Sequence, residues 1–197
     1  MRIEIFGSGP LAEPIARLAE RAGHTVRRHE ETPVPPYTDE LLDLVILAGS
    51  RRGIAADLAN VSSETLQDLI VVDAITPTEN DVAGSAGTTQ SDAAWIAEML
   101  PNPRIVRAFA SVPAQALADL VEHPSSDSET KLAVPLAGDD REAKALVESF
   151  IRDIGVEPFD LGASSTAQAL DPGGALWGKA LTQVEMVEAV GWLSGDG

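Results

Sequence analysis

The chain lacks cysteine, is poor in lysine and aromatic residues, and contains no long uninterrupted hydrophobic run. The absence of cysteine excludes disulfide bonds, thiolate metal ligands and a cysteine nucleophile. No apolar stretch approaches the length of a membrane-spanning helix, so we expect a soluble, cytoplasmic protein that does not bind a membrane. The three histidines, His24, His29 and His123, do not have the spacing of metal ligands, so we predict no metal site.

Basic residues are also scarce, because 14 lysines and arginines stand against 31 acidic residues, for a formal net charge of −17. A nucleic-acid-binding protein needs a basic face to neutralise phosphates, so nucleic acid is excluded as a partner. Hydrophobic residues make up 44% of the 197 positions, which is enough for a packed core. The length allows one full domain and a smaller addition to it.

The most informative feature that is present is a glycine-rich turn, GSGPLA, at residues 7–12, between a strand pattern and a helix pattern. Gly7 permits a tight turn, Gly9 lets the backbone approach a pyrophosphate, and the small Ala12 lets the helix pack on the strand. The unpaired N–H groups of the helix N-terminus favour an anion. The pattern predicts a dinucleotide site, although a similar turn that binds no nucleotide remains the alternative. The predicted phosphate-binding residues are Gly7, Ser8, Gly9, Pro10 and Leu11.

Replacing Gly9 with valine is expected to abolish nucleotide binding with little change in stability, because the side chain would occupy the space of the pyrophosphate.

Strand and helix patterns alternate along the rest of the chain. Strands are expected at residues 2–6, 25–28, 43–47, 69–74, 104–108, 132–137 and 156–161. Helices are expected at residues 11–22, 53–59, 62–68, 91–100, 113–121, 140–154 and 175–193. This alternation predicts an α/β fold, a Rossmann-like doubly wound parallel sheet with right-handed crossovers. We expect residues 1–122 to form the dinucleotide-binding Rossmann domain and residues 131–197 a small C-terminal α/β extension that completes the sheet.

The C-terminal third carries three more specific expectations. Asp139 is predicted to cap the helix that follows it, with Glu142 as the reciprocal partner in a capping box. Residues 162–174 are expected to form an irregular loop. The terminal helix, residues 175–193, has apolar residues on more than one face, so we expect a second subunit to bury part of it in a homodimer.

Six stretches that together cover nearly the whole chain carry a family resemblance. They are IFGSGPLAEPIARLAERAGHTV, LVILA, LIVVDAITP, GTTQSDAAWIAEMLPNPRIVRAFASVPAQALAD, LAVPLAGDDREAKALVESFIRDIGVEPFDLG and ALDPGGALWGKALT. Together they resemble the NADP:deazaflavin oxidoreductase family, whose members use coenzyme F-420. The resemblance implies a nucleotide at the switch point of the sheet, a deazaflavin in the adjacent cleft, and direct hydride transfer between the two rings. Because the cofactors supply this chemistry, no protein residue is assigned a catalytic role.

The end of the second strand differs from the family's pattern. The family offers small polar and basic side chains to the 2′-phosphate of NADP, whereas this chain has Glu30 and Glu31. A carboxylate there accepts hydrogen bonds from the ribose hydroxyls and repels a phosphate, which favours NAD over NADP unless nearby arginines compensate. The candidate arginines are Arg27, Arg28, Arg51 and Arg52.

The second cofactor is expected at the carboxyl ends of neighbouring strands, where loops of open α/β sheets carry function. Ala110 stands there in place of the family's asparagine, so an amide that would hold the deazaflavin is missing. Phe109 is either a wall of the cofactor pocket or a core residue. With the nucleotide side included, the remaining predicted cofactor-binding residues are Gly49, Ser50, Arg51, Ile75, Thr76, Pro77, Phe109, Ala110 and Ser111.

Three functions remain open on the sequence alone. The leading hypothesis is an oxidoreductase that binds NAD or NADP and transfers hydride directly to or from a deazaflavin- or flavin-type cofactor. A non-catalytic dinucleotide-binding module is the second. The third is a reductase of a small carbonyl or imine substrate, a class that usually has a longer helical C-terminal domain than this chain has.

Overall fold

The computed structural model describes residues 1–29, 42–59, 61, 66–76, 91–123 and 131–194. In this part of the chain, seven strands form one sheet: β1 Arg2–Phe6, β2 Thr25–His29, β3 Leu44–Leu47, β4 Ile70–Asp73, β5 Arg104–Ala108, β6 Ala133–Ala137 and β7 Glu157–Asp160. The described helices are α1 Ala12–Arg21, α2 Arg51–Leu58, α3 Asp92–Met99, α4 Ala114–Glu122, α5 Arg141–Asp153 and α6 Gln183–Ser194, with a 3-10 helix at Ser164–Leu170. The predicted helix at 62–68 lies largely outside the described residues, as do the loops that proline, glycine and polar residues predict at 30–37, 75–90 and 123–130.

The strand order is β2-β1-β3-β4-β5-β6-β7, and β1 to β5 pair in parallel. This confirms the α/β, Rossmann-like class. β2 lies on one side of β1 and β3 lies on the other. The order in which strands are added to the sheet therefore reverses at β1. The crevice at the carboxyl ends of β1 and β3 is therefore the topological switch point, where open α/β sheets bind ligands.

The sheet is mostly rather than wholly parallel, which corrects the expectation for its C-terminal part. β6 pairs antiparallel with β5, through Arg107 opposite Ala137 and Ala108 opposite Leu136, and β7 then pairs in parallel with β6. β6 enters from the carboxyl edge, where Ala133 N donates to the carbonyl of Leu181. Alternation of helices and strands gives the order of elements, but it does not show from which edge a connection re-enters the sheet.

Helices cover both faces of the sheet, and the two larger of three described hydrophobic cores lie beneath them. One core lies under α1, α4 and α5 and includes Ile5, Ile15 and Phe150. The other lies under α2 and α3 and includes Leu47, Ile54 and Ile96. β3, the run LVIL, is buried along its whole length, as expected for a parallel strand covered on both faces.

The start of α6 differs from the prediction. It begins at Gln183 instead of residue 175, because Thr182 and Glu185 form a capping box that the sequence analysis missed. Thr182 N donates to Glu185 Oε2 at 2.8 Å, and Glu185 N donates to Thr182 Oγ1 at 3.4 Å. The predicted irregular loop at 162–174 likewise contains the 3-10 helix.

The cap of α5 is Asp140 rather than Asp139. Asp140 Oδ1 accepts from Ala143 N at 2.9 Å, and the same carboxylate binds the guanidinium of Arg104 at 2.6 and 2.7 Å. Asp139 instead accepts from the backbone N and hydroxyl of Ser164, at 2.9 and 2.6 Å. The ion pair with β5 therefore selects which of the two neighbouring aspartates caps the helix, and the expected box with Glu142 does not form.

On α6, Met186 is buried against Ala133, Leu170 and Leu176, while Val184 and Val187 are 66% and 60% exposed. Burial of this helix by a second subunit remains a prediction, as does the division of the chain at residues 122 and 131. Among the described helices, none is long and apolar enough to span a membrane.

Candidate nucleotide-binding site

The turns that follow β1, β3, β4 and β5 lie side by side at the carboxyl edge of the sheet. Ala48 N donates to the carbonyl of Phe6 at 2.8 Å, and Ala74 N donates to the carbonyl of Leu47 at 3.1 Å. The structure thereby brings the predicted site residues 7–11, 49–51, 75–76 and 109–111 to one edge. Glu30, Glu31 and Pro77, which were also predicted, lie outside the described residues.

The glycine loop packs backbone against backbone on the turn after β3. Gly7 has a φ of +99°, and a Cβ atom there would lie 2.7 Å from the carbonyl oxygen of Ala48. A Cβ on Gly9 would lie 2.8 Å from Gly49 Cα and 2.9 Å from the same oxygen. The expectation that Gly9→Val leaves stability almost unchanged is therefore wrong, because the side chain would meet the neighbouring backbone whether or not a ligand is present.

This packing decides which N–H groups of the loop are available. Gly9 N donates to the carbonyl of Ala48 at 2.9 Å, and Gly7 N donates to Asp57 Oδ2 at 3.1 Å. The N–H groups of Ser8 and Leu11 have no acceptor among the residues that the structure describes. Pro10 has no N–H, and the side chains of Ser8 and Pro10 are exposed.

The N-terminus of α1 also has no side-chain cap. By contrast, Ser50, Ser91 and Asp140 cap α2, α3 and α5 with side-chain oxygens. An uncapped helix end that carries free N–H groups and the positive end of the helix dipole is suited to an anion. The donor set of the loop therefore fits a pyrophosphate.

A buried polar cluster lies beneath this loop. Glu4 on β1, His29 at the end of β2 and Asp57 on α2 are all buried. His29 Nε2 hydrogen-bonds Glu4 Oε2, and the His29 ring stacks on Phe6 with the ring centroids 4.4 Å apart. Burial raises the pKa of Asp57, while the hydrogen bond from Gly7 N and the neighbouring His29 oppose this shift.

Sequence reasoning missed this cluster because Glu4, His29 and Asp57 are far apart along the chain. The available signal was the acidic residue in the middle of β1, a strand that the predicted fold places inside the sheet.

The turn after β3 contains two predicted residues with structural partners. Ser50 Oγ accepts from Gly53 N at 3.2 Å and so caps α2. Arg51 Nε donates to Asp92 Oδ1 at 2.7 Å, and its guanidinium lies 5.7 Å from the centre of the Trp95 ring. Arg51, a candidate for offsetting Glu30 and Glu31, is therefore held in an ion pair with α3.

The turn after β5 is strained. Phe109 has a φ of +66°, and its ring is fully buried edge-on to Phe150, with the centroids 6.2 Å apart. The predicted contact of Phe109 with a cofactor can therefore involve only its backbone. Ala110 and Ser111 are also buried, and no residue in the described ranges forms a hydrogen bond with Ser111 Oγ. A non-glycine residue in this conformation costs on the order of 1 kcal/mol, and such strain tends to occur at functional sites.

A second group of charges lies under the ends of β4 and β5. Arg107 Nη1 donates to Asp73 Oδ2 at 2.7 Å and to Asp92 Oδ2 at 3.0 Å, and Nη2 lies 2.7 Å from Asp171 Oδ1. Asp73 is fully buried, which raises its pKa to about 6 although Arg107 opposes this effect.

These side chains, the Arg107 cluster, line one side of a cavity of about 500 Å³ between α3 and the 3-10 helix. Of the predicted site residues that the structure describes, none lines this cavity. The Arg107 cluster was not predictable from the sequence, because its four side chains come from elements that are distant in the chain.

Comparison with known proteins supports the fold. No family model matches the sequence. A hypothetical protein from Sinorhizobium meliloti has a TM-score of 0.67 at 21% identity, with 93% of this chain and 96% of that chain covered. A protein from Arthrobacter sp. FB24, provisionally described as an F420-dependent NADP reductase, has a TM-score of 0.61 at 22% identity, with 84% and 86% covered.

An imine reductase from Bacillus cereus BAG3X2 has a TM-score of 0.52 at 16% identity. The alignment covers 82% of this chain but 55% of the imine reductase, so this chain spans about half of that protein's length. At these identities the similarities show a shared fold.

Proposed function

We propose that the chain binds NAD or NADP across the carboxyl ends of β1 and β3 and works as an oxidoreductase. The observation that carries the proposal is the uncapped N-terminus of α1 at the switch point of the sheet, where no described residue accepts from the N–H groups of Ser8 and Leu11. Neighbours in fold whose names state NADP-reductase or imine-reductase activity support the same class of function.

The roles of this chain's residues follow from that geometry. The N–H groups of Ser8 and Leu11 would hold the pyrophosphate, and the packing of Gly7 and Gly9 on the β3 turn would keep the loop in place. The nicotinamide, when bound, supplies a hydride, so the protein needs only to hold and orient the rings. Residues 75–76 and 109–111 would flank the ring, and the small side chain of Ala110 would not obstruct a second planar group there.

We further propose that NAD is preferred over NADP. Glu30 and Glu31 follow β2 directly in the sequence, and a carboxylate at this place repels a 2′-phosphate. Arg51 is paired with Asp92, which reduces its capacity to offset those charges.

For the second reactant we propose a deazaflavin- or flavin-type cofactor, coenzyme F-420 being the deazaflavin implied by the sequence resemblance. A small carbonyl or imine substrate is the second candidate. It ranks lower because this chain aligns with only 55% of the imine reductase and so spans about half of that enzyme's length.

We also propose that the chain forms a homodimer through α6, whose Val184 and Val187 are exposed.

The test is isothermal titration calorimetry of NAD and NADP with two variants of Ser8, an exposed residue whose replacement leaves the glycine packing intact. Ser8→Glu adds a negative charge beside the phosphates and is expected to weaken binding at least about tenfold. Ser8→Gln, which has nearly the same size without the charge, is the matched control and is expected to bind within about threefold of the wild type. Equal affinities for the wild type and Ser8→Glu would contradict the site.

Hydride transfer is measured separately, by mixing reduced nicotinamide cofactor with a deazaflavin, with common flavins and with cyclic imines. If the wild type binds nucleotide but reduces none of these acceptors, the non-catalytic binding module replaces the oxidoreductase.

A further inference from the structure

Asp57 is an acidic residue on the buried face of α2. Its neighbours on that face, Ile54 and Leu58, are apolar and pack in the core beneath the helix, whereas Asp57 is only 8% exposed and carries a carboxylate. Burying a carboxylate is unfavourable unless it is hydrogen-bonded. Core packing therefore gives no reason for an aspartate at this position, but its contact with the glycine loop does.

That contact is a hydrogen bond to the first residue after β1. Gly7 N donates to Asp57 Oδ2 at 3.1 Å, and both groups are buried. Without an acceptor, a buried N–H costs about 1–3 kcal/mol, which the loop could relieve by changing its conformation. The bond thus opposes movement of Gly7, whose φ of +99° sets the direction in which the chain leaves β1.

The loop is held at a second point, where Gly9 N donates to the carbonyl of Ala48. With Gly7 tied to α2 and Gly9 tied to the β3 turn, the two free N–H groups, those of Ser8 and Leu11, have fixed positions. Fixed donors bind an anion more tightly than mobile ones, because no ordering cost is incurred on binding.

Burial raises the pKa of Asp57, and the neighbouring His29 opposes part of that shift. His29 faces both Asp57 and Glu4, and Arg27 Nη1 lies 3.4 Å from Glu4 Oε1. Because the raised pKa disfavours the charged form of Asp57, the repulsion between Asp57 and a phosphate above the loop is reduced.

We infer that Asp57 is a positioning residue for the nucleotide: through Gly7 it fixes the glycine loop in the conformation that presents the N–H groups of Ser8 and Leu11. This inference rests on the proposed nucleotide-binding function. On this inference, what matters at residue 57 is the position of the acceptor oxygen, which the length of the side chain sets, and not the negative charge.

Two variants separate these properties. Asp57→Asn keeps an acceptor oxygen at the same reach and removes the charge, so we expect its Kd for NAD or NADP to stay within about threefold of the wild type. Asp57→Glu keeps the charge and adds a methylene in a closely packed place, which should displace the loop and weaken binding at least about tenfold. Leu58→Ala is the control, because it removes buried apolar surface from the same helix and keeps the carboxylate that accepts from Gly7 N.

The measurements are Kd by calorimetry and the melting temperature of each variant without nucleotide. Leu58→Ala is expected to lower the melting temperature at least as much as Asp57→Glu does while leaving Kd unchanged. The inference is overturned if Asp57→Glu binds like the wild type, or if Asp57→Asn loses affinity as fully as Asp57→Glu. Failure of the wild type itself to bind either nucleotide would instead overturn the proposed function, and the inference with it.

Discussion

At the carboxyl ends of β1 and β3, small residues pack backbone against backbone, whereas at the carboxyl ends of β4 and β5 a group of charged side chains surrounds the buried pair Arg107 and Asp73. In the glycine loop, two N–H groups have no acceptor in the described part of the chain, and the helix behind them has no side-chain cap. In the Arg107 cluster, one guanidinium contacts three carboxylates. Unused donors indicate a place for a ligand, while ion pairs between side chains of different elements indicate a connection between those elements.

We therefore expect substitutions in the Arg107 cluster to lower stability with little effect on nucleotide binding, and substitutions in the glycine loop to lower both. Arg107→Leu leaves Asp73 and its carboxylate neighbours without their shared cation, so the free energy of unfolding is expected to fall by about 3–5 kcal/mol. Denaturant titration measures the loss, and nucleotide affinity of the folded fraction should change little.

The control is Arg17→Leu, which removes an ion pair with Glu122 between side chains that are 53% and 63% exposed. Its effect on the free energy of unfolding is expected to be about 0–1 kcal/mol. If both substitutions cost the same, the Arg107 cluster does not hold the elements together.

The glycine loop should lose both stability and binding when its packing is disturbed. A Cβ on Gly9 lies under 3 Å from two backbone atoms of the β3 turn, so Gly9→Ala is expected to lower the free energy of unfolding by about 1–3 kcal/mol and to weaken nucleotide binding. Gly53→Ala is the matched control, because its Cβ would meet only Ser50 Oγ at 3.4 Å, inside α2. There alanine should leave stability unchanged or raise it by up to about 1 kcal/mol. A Gly9→Ala protein as stable as the wild type would contradict the packing.

The smallest expected effect concerns pH. The pKa of Asp73 is raised to about 6 in the folded protein, so the folded state binds this proton more tightly than the unfolded chain does. The contribution of Asp73 to stability is therefore largest below its unfolded pKa and decreases as the pH rises through about 6. Asparagine does not titrate, so Asp73→Asn should cost more stability at about pH 5 than at about pH 7.5. Unfolding curves of both proteins at the two pH values check the sign, and an equal or reversed difference would contradict it.

The parts of the fold that local patterns determine were predictable from the sequence. β1 and β5 have the predicted bounds, and the glycine turn falls between β1 and α1, because strand periodicity and turn residues act within a few neighbours. The start of α6 could also have been predicted, because the capping box formed by Thr182 and Glu185 is visible as a pattern in the sequence.

Other features depend on contacts between distant residues. The pairing of Arg104 with Asp140 decides the cap of α5, and nothing near Asp139 in the sequence indicates this. The hydrogen bond from Gly7 to Asp57 and the ion pair of Arg107 with Asp171 connect residues that are 50 or more positions apart. The role of Gly9 in packing was missed for the same reason, because Gly49 approaches it only in the folded sheet.

A crystal structure of the protein grown with NAD tests the central claim most directly. The account predicts a pyrophosphate whose oxygens accept hydrogen bonds from the N–H groups of Ser8 and Leu11, with the nicotinamide beside residues 109–111. A nucleotide found in the cavity beside the Arg107 cluster, or bound at the edge without contact to Ser8 and Leu11, would contradict it.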